Sequence, residues 1–237
     1  MSKVCIVGSS GYLGSKILLS LKKKFKIISV SRKKIYQKNF NEGLFKSIIG
    51  DIRSKKTINK IVSQKPEYII FASGFNHFRS EKNFKKTINN NNDSLLSLCE
   101  NISKNENFKK IIYLSSFQVY GNYQENELIN EKTPKNPKNF YGLSHSINED
   151  ILNIAKNKFK INFEIIRLTN AYGYPSLITN DCWWLVINDL CKNYVFKKKI
   201  VINSDGNPFR NFIHLNDVAE FIKLLLYKKK KPPRFII

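Results

Sequence analysis

A chain of 237 residues, 42% of them hydrophobic, is long enough to bury a sizeable core and short enough for one domain with a small appended lobe. No apolar run in it approaches membrane-spanning length. The 41 basic residues outnumber the 18 acidic ones and leave a formal charge of +23, which raises nucleic acid as a partner. The arginines are only Arg32, Arg53, Arg79, Arg167, Arg210 and Arg234, however, and the lysines are scattered among asparagines and isoleucines. That pattern reads as a solvated surface, with neither nucleic acid nor membrane as partner.

Val4–Val7 is a short, continuous β-branched run, as a buried parallel strand should be, and from Tyr12 to Leu21 the apolar spacing turns helical. Between them lies Gly8-Ser9-Ser10-Gly11-Tyr12-Leu13-Gly14, a turn with three glycines at three-residue spacing. Strand, glycine turn and helix together point to a dinucleotide clamp. Gly8 makes the tight turn, Gly11 lets amides at the helix start approach a pyrophosphate, and Gly14 lets helix and strand pack closely. Ser10, Tyr12 and Leu13 join them in the expected cofactor-binding set.

Further strands are expected over Phe25–Val30, Leu44–Ile49, Tyr68–Ala72, Ile111–Leu114 and Phe163–Leu168, with long helices over Phe84–Ile102 and from about Phe140 to Lys158. Strands alternating with helices predict an α/β, Rossmann-like, doubly wound parallel sheet. The tip of the second strand, Ser31-Arg32, meets the adenosine ribose in such a fold. It carries a hydroxyl and a guanidinium instead of a carboxylate, which suits the 2′-phosphate of NADP over the bare ribose of NAD. Asp51 could accept from the adenine amino group or act as an ordinary loop residue. Ile52, Ala72 and Ser73, at neighbouring strand ends, complete the set.

Cys5, Cys99, Cys182 and Cys191 form no C-x-x-C pair, so no metal site is expected. Reduced, mostly buried thiols and an amino terminus without signal-peptide shape predict a cytoplasmic protein. Trp183 and Trp184 open an amphipathic stretch with Leu185, Val186 and Leu190, read as lobe core over a base-stacking platform. The dense run Lys228–Lys231 reads as a helix end.

Six segments in order resemble the extended short-chain dehydrogenase/reductases, in their nucleotide-sugar epimerase/dehydratase branch. They are Gly8–Gly14, Gly50–Arg53, Leu114–Gly121, Tyr141–Ser144, Arg167–Gly173 and Arg210–Ala219. The resemblance implies NAD(P)-dependent redox chemistry on a nucleotide-sugar, with Tyr141 as the base and Ser116, 25 residues earlier, bonding the same oxygen. The family pattern expects lysine four residues after the tyrosine; this chain has His145. A histidine carries charge only when protonated, so the pair predicts a slow enzyme with a narrow bell-shaped pH profile, or an inactive sensor or scaffold. A histidine bonding the cofactor ribose or another polar group is the alternative.

Members of the branch that catalyse 4,6-dehydration place Asp-Glu after the Ser/Thr. This chain has Phe117-Gln118, which disfavours dehydration and leaves ketoreduction or epimerisation. Asn170 and Arg210 match substrate-contacting positions, although Arg210 could instead pair with Asp217. The resemblance gives residues 1–168 as the cofactor domain and 169–237 as a substrate lobe interleaved with the sheet. That lobe reads as truncated, because members continue beyond Phe235-Ile236-Ile237, itself a strand beginning. A homodimer through the helices starting at Phe84 and Phe140 is a further implication.

Overall fold

In the computed structural model, which describes residues 1–35, 42–122, 128–177, 181–202, 205 and 210–227, the apolar runs become parallel strands. They are β1 (Lys3–Val7), β2 (Lys26–Ser31), β3 (Phe45–Ile49), β4 (Tyr68–Phe71), β5 (Lys110–Ser116) and β6 (Phe163–Leu168). Together they make one sheet in the order β3-β2-β1-β4-β5-β6, with every neighbouring pair parallel. Strand order reverses between β1 and β4, and the crevice outside their carboxyl ends is where such sheets take ligands.

Alternation along β1 divides the core in two. Val4 and Ile6 face α1 (Tyr12–Leu21) and α8 (Leu215–Tyr227), in a layer with Ile17, Leu18, Leu21, Val218, Ile222 and Leu225. Cys5 and Val7 face the opposite layer, built on Ile58 and Ile61 of α2 (Lys55–Ser63), Leu95 and Leu98 of α5 (Asp93–Ile102) and Leu152 of α6 (Phe140–Phe159). Burial of both sheet faces explains why the strands are runs instead of alternating patterns.

The expected helix over Phe84–Ile102 follows that path but is not continuous. After α3 (His77–Lys82) and α4 (Phe84–Thr87), residues Ile88–Asn92 form one π turn before α5 begins, and Asn90, Asn91 and Asn92 are all buried in it. A π turn widens the helix by one residue and commonly marks a functional region. Here it turns the Asn91 and Asn92 amides towards α6, while that of Asn90 bonds Asn91.

Beyond Leu168, β7 (Asn170–Tyr172) and β8 (Phe212–His214) pair in parallel as a second, two-stranded sheet, and α7 (Val186–Lys197) lies between them in sequence. The lobe-core reading is corrected for Trp184, whereas Trp183 is half-buried. Trp184 is exposed, its ring edge against Phe78 at 5.1 Å, and the one buried residue of α7 is the polar Asn188. Val186, Tyr194, Val195 and Phe196 of that helix are exposed, and Ile187 and Leu190 are half-buried. Lys228–Lys231 and Phe235–Ile237 lie outside the described residues. Among those described, no helix is long and apolar enough to cross a membrane, and no cluster of His, Cys, Asp or Glu could hold a metal. Cys5, Cys99 and Cys182 are buried free thiols and Cys191 is exposed.

Candidate active site

The glycine turn sits at the carboxyl end of β1, held by amide bonds from Gly8 and Ser9 to the Val30 carbonyl at 3.0 and 3.2 Å. Gly8 has φ +86°, and a Cβ there would stand 2.6 Å from the Ala72 carbonyl oxygen. A Cβ on Gly14 would press into the Gly8 carbonyl. Two of the three glycines are therefore required by close backbone approach. Gly11 is the N-cap of α1 and no side chain caps that helix, so its first amides and the positive end of its dipole remain for an anion. The residues present fit a dinucleotide pyrophosphate at this turn. Tyr12 faces elsewhere: its hydroxyl donates to the Gly173 carbonyl at 2.7 Å and accepts from the Asn188 side-chain amide at 2.9 Å. Leu13 packs against the core and Ser10 completes the turn.

At the tip of β2, Ser31 is buried and its hydroxyl donates to the Lys33 carbonyl at 2.5 Å, while Arg32 is exposed. Asp51, at the end of β3, takes a two-pronged contact from Arg53: Nε to Oδ1 at 3.0 Å and the terminal nitrogen to Oδ2 at 2.6 Å. These hydrogen bonds hold its carboxyl below the usual range, and the nearby Arg32 charge adds to the effect. Ile52 is a core residue. Ala72 and Ser73 lie directly against Gly8, on the next strand's end. The glycine turn, Ser31, Arg32, Asp51, Ala72 and Ser73 therefore share one edge of the sheet, whereas the side chains of Tyr12, Leu13 and Ile52 are engaged elsewhere.

Ser116 ends β5 and starts the 3-10 turn Phe117–Tyr120, and its Oγ accepts from the Gln118 amide at 3.2 Å. Tyr141 sits in the first turn of α6. Asn139 caps that helix by accepting from the Gly142 amide at 2.7 Å, and its side-chain nitrogen donates to Gln118 Oε1 at 2.8 Å. Gly142 lets the helix start lie close on the turn, since a Cβ there would meet the Gln118 carbonyl oxygen. The outcome is that the Ser116 and Tyr141 side chains come close enough for the serine to act on the phenol. Burial raises the Tyr141 phenol above its usual pKa and Ser116 pulls the other way.

His145 stands one helical turn further on, its ring edge-on to Tyr141 with centroids 4.6 Å apart. Crowding by protein lowers its pKa to about 4, so the ring is neutral near pH 7. The narrow bell-shaped profile expected from the sequence needs a protonated His145 near neutrality, and this environment does not supply one.

Sequence reasoning missed what lies behind the ring. Tyr113 of β5, fully buried, has its hydroxyl 2.6 Å from His145 Nδ1 and accepts from the Asn148 side-chain nitrogen at 2.9 Å. Asn148 and Ser144 of α6 bond Asn91 and Asn92 of the π turn. Below this layer Glu149 receives two bonds from Arg167, at 3.0 and 2.7 Å, and one from Ser115 at 2.7 Å. Arg167 also donates to the Tyr120 hydroxyl at 2.6 Å. A buried carboxylate so surrounded is costly to break, by about 3–5 kcal/mol on removal of one partner.

Comparison with known proteins decides the family. The sequence profile of the NAD dependent epimerase/dehydratase family matches residues 4–237. The chain belongs to that family. It is 29% identical over an alignment of 254 residues to a dTDP-D-glucose 4,6-dehydratase of Dictyostelium discoideum, covering 96% of this chain and 56% of that protein. A putative UDP-glucose 4-epimerase of Methanocaldococcus jannaschii is 25% identical, over 92% of this chain and 71% of the relative. The fold matches the UDP-glucuronic acid 4-epimerase of Bacillus cereus, solved with UDP-glucuronic acid and NAD, at TM-score 0.86 and 21% identity. That match covers 99% of this chain and 76% of the other. The chain thus spans little more than half the length of the first relative.

For this epimerase/dehydratase family member the two expected substrate contacts differ in standing. The Asn170 side-chain amide donates to the Asn211 carbonyl at 3.0 Å, beside the backbone bond joining the same residues, and so ties β7 to the approach of β8. Arg210 is exposed, and among the described residues no ion pair joins it to Asp217. The structural-link reading of Arg210 is therefore set aside.

Proposed function

We propose that this chain is an NADP-dependent enzyme that interconverts a hydroxyl and a ketone on a nucleotide-sugar, by reduction or epimerisation. The single observation that carries the reading is that Ser116, at the end of β5, and Tyr141, in the first turn of α6, come together at the same sheet edge as the glycine turn. Tyr141 takes the proton from the reacting hydroxyl, or returns it to the ketone, and Ser116 holds that oxygen in place. The nicotinamide, when bound, supplies the hydride acceptor or donor. His145 adds a neutral hydrogen-bonding group where relatives are expected to carry a cation.

NADP is preferred over NAD because the β2 tip offers Arg32 and no carboxylate to a 2′-phosphate. Dehydration is disfavoured because neither Phe117 nor Gln118 titrates and the Gln118 amide is engaged by Asn139. Residues 1–168 would hold the cofactor and 169–237 the sugar, with Arg210 free to meet a diphosphate. Three buried reduced thiols suit the cytoplasm. Leu96 on α5 and Ile154 on α6 are exposed apolar side chains suited to a dimer face.

A neutral His145 beside a phenol whose pKa is raised favours a second reading, a dinucleotide-binding protein with little catalysis. Turnover of NADPH with a keto-sugar nucleotide separates the two. The first reading expects turnover that Tyr141→Phe lowers by about 10²–10⁴-fold with cofactor binding retained. Turnover absent, or indifferent to Tyr141→Phe, establishes the second.

A further inference from the structure

The protons around His145 can be assigned from two groups that can only accept, the backbone carbonyls of Ser144 and Asn91. The Asn92 side-chain nitrogen lies 2.8 Å from the Ser144 carbonyl and 2.9 Å from Asn148 Oδ1. Turning that amide over would set oxygen against the carbonyl. The carbonyl thus fixes this orientation, which leaves Asn92 Oδ1 buried without a partner among the described residues. Asn148 must then present oxygen to Asn92 and nitrogen to the Asn91 carbonyl, at 3.2 Å. The same nitrogen donates to the Tyr113 hydroxyl at 2.9 Å. Since Tyr113 accepts from Asn148, its own proton goes to the other neighbour, His145 Nδ1, at 2.6 Å.

We propose that Tyr113 is a positioning residue that fixes His145 as the neutral tautomer with its proton on Nε2. The ring is thereby a permanent uncharged donor beside Tyr141, for an oxygen acceptor such as a ribose hydroxyl or the reacting oxygen. The π turn is what makes this possible, because it brings Asn91 and Asn92 to face α6 together. In place of a charge, the site holds a donor whose direction is set by a chain of buried amides reaching back to two backbone carbonyls.

The proposal rests on Tyr141 and its neighbours being the reactive site, yet its test does not need turnover. Only three histidines occur in the chain, His77, His145 and His214, so long-range proton–nitrogen correlation spectra at pH 7 can be assigned by removing one at a time. Expected is Nδ1 of His145 without a proton and Nε2 with one, in the protein without ligand. Tyr113→Phe should turn this into a mixture of tautomers. Asn148→Asp, which accepts and cannot donate, should move the proton to Nδ1. A wild-type spectrum with the proton on Nδ1, or already mixed, overturns the proposal whether or not the variants fold. So does a His145 spectrum unchanged in a folded Tyr113→Phe protein. Absence of NADPH turnover alongside the expected tautomer would remove the enzymatic reading and leave the positioning intact.

Discussion

At residue 145 a histidine stands where lysine is the family expectation, and its surroundings take away the charge it could have carried. A ring whose pKa is near 4 in the folded protein and about 6.5 in the unfolded chain binds fewer protons when folded. Its contribution to stability is therefore complete above about pH 6.5 and is lost as pH falls from there towards 4. Asp51, held low by the Arg53 hydrogen bonds, begins to lose its contribution only below about pH 4. Between about pH 5 and 6.5 the wild-type urea midpoint should fall more steeply than that of His145→Gln. Equal slopes would mean that the ring is not held neutral. Activity, for its part, should rise with pH towards the ionisation of Tyr141, with no falling limb near neutrality from loss of a His145 proton.

The meeting of α6 with the turn after β5 is an element-scale device, and it depends on a missing Cβ. Gly142→Ala would force the helix start off the Gln118 carbonyl and separate Tyr141 from Ser116. A misplacement of about 1 Å can cost on the order of 10²-fold in rate, whereas overpacking costs about 1–3 kcal/mol in stability. Kinetics and urea unfolding of this variant should show the larger effect on kcat. Gly43→Ala, whose Cβ would meet nothing within 4 Å among the described residues, should leave kcat unchanged.

The strands were legible in the sequence because both sheet faces are buried, so Val4–Val7 or Ile111–Leu114 stand out as unbroken apolar runs. Ser116 and Tyr141 were legible through their resemblance to the family's pattern, and His145 because a spacing of four puts it on the same helix face as Tyr141. Tyr113 was not, since a tyrosine inside an apolar strand reads as core. Nor was the π turn, because Asn90–Asn92 resemble the chain's general asparagine content. Asn91 and Asn92 bond Ser144 and Asn148, more than fifty residues away. Trp184 misled for the converse reason: an amphipathic pattern states which side chains would bury, not whether a partner layer exists.

For the molecule as a whole, cofactor choice should be visible as linkage. At a concentration 100 times its Kd, a ligand adds about 2.7 kcal/mol to stability. At about 2–4 °C per kcal/mol for a chain of this size, that raises Tm by roughly 5–10 °C. NADP should do so at concentrations where NAD gives a smaller rise, and Arg32→Ala should narrow the gap. Equal shifts would remove the preference argued from Arg32. The Tyr12 hydroxyl carries a different consequence. It leaves the first turn of α1 and grips both Gly173, just past β7, and Asn188 of α7. Whatever settles on the glycine turn therefore also steadies the segment that would receive the sugar. Such a tie predicts compulsory order: dinucleotide enters first and departs last, a sequence that product-inhibition patterns distinguish from random addition. Tyr12→Phe, with the tie cut, should let either partner go first.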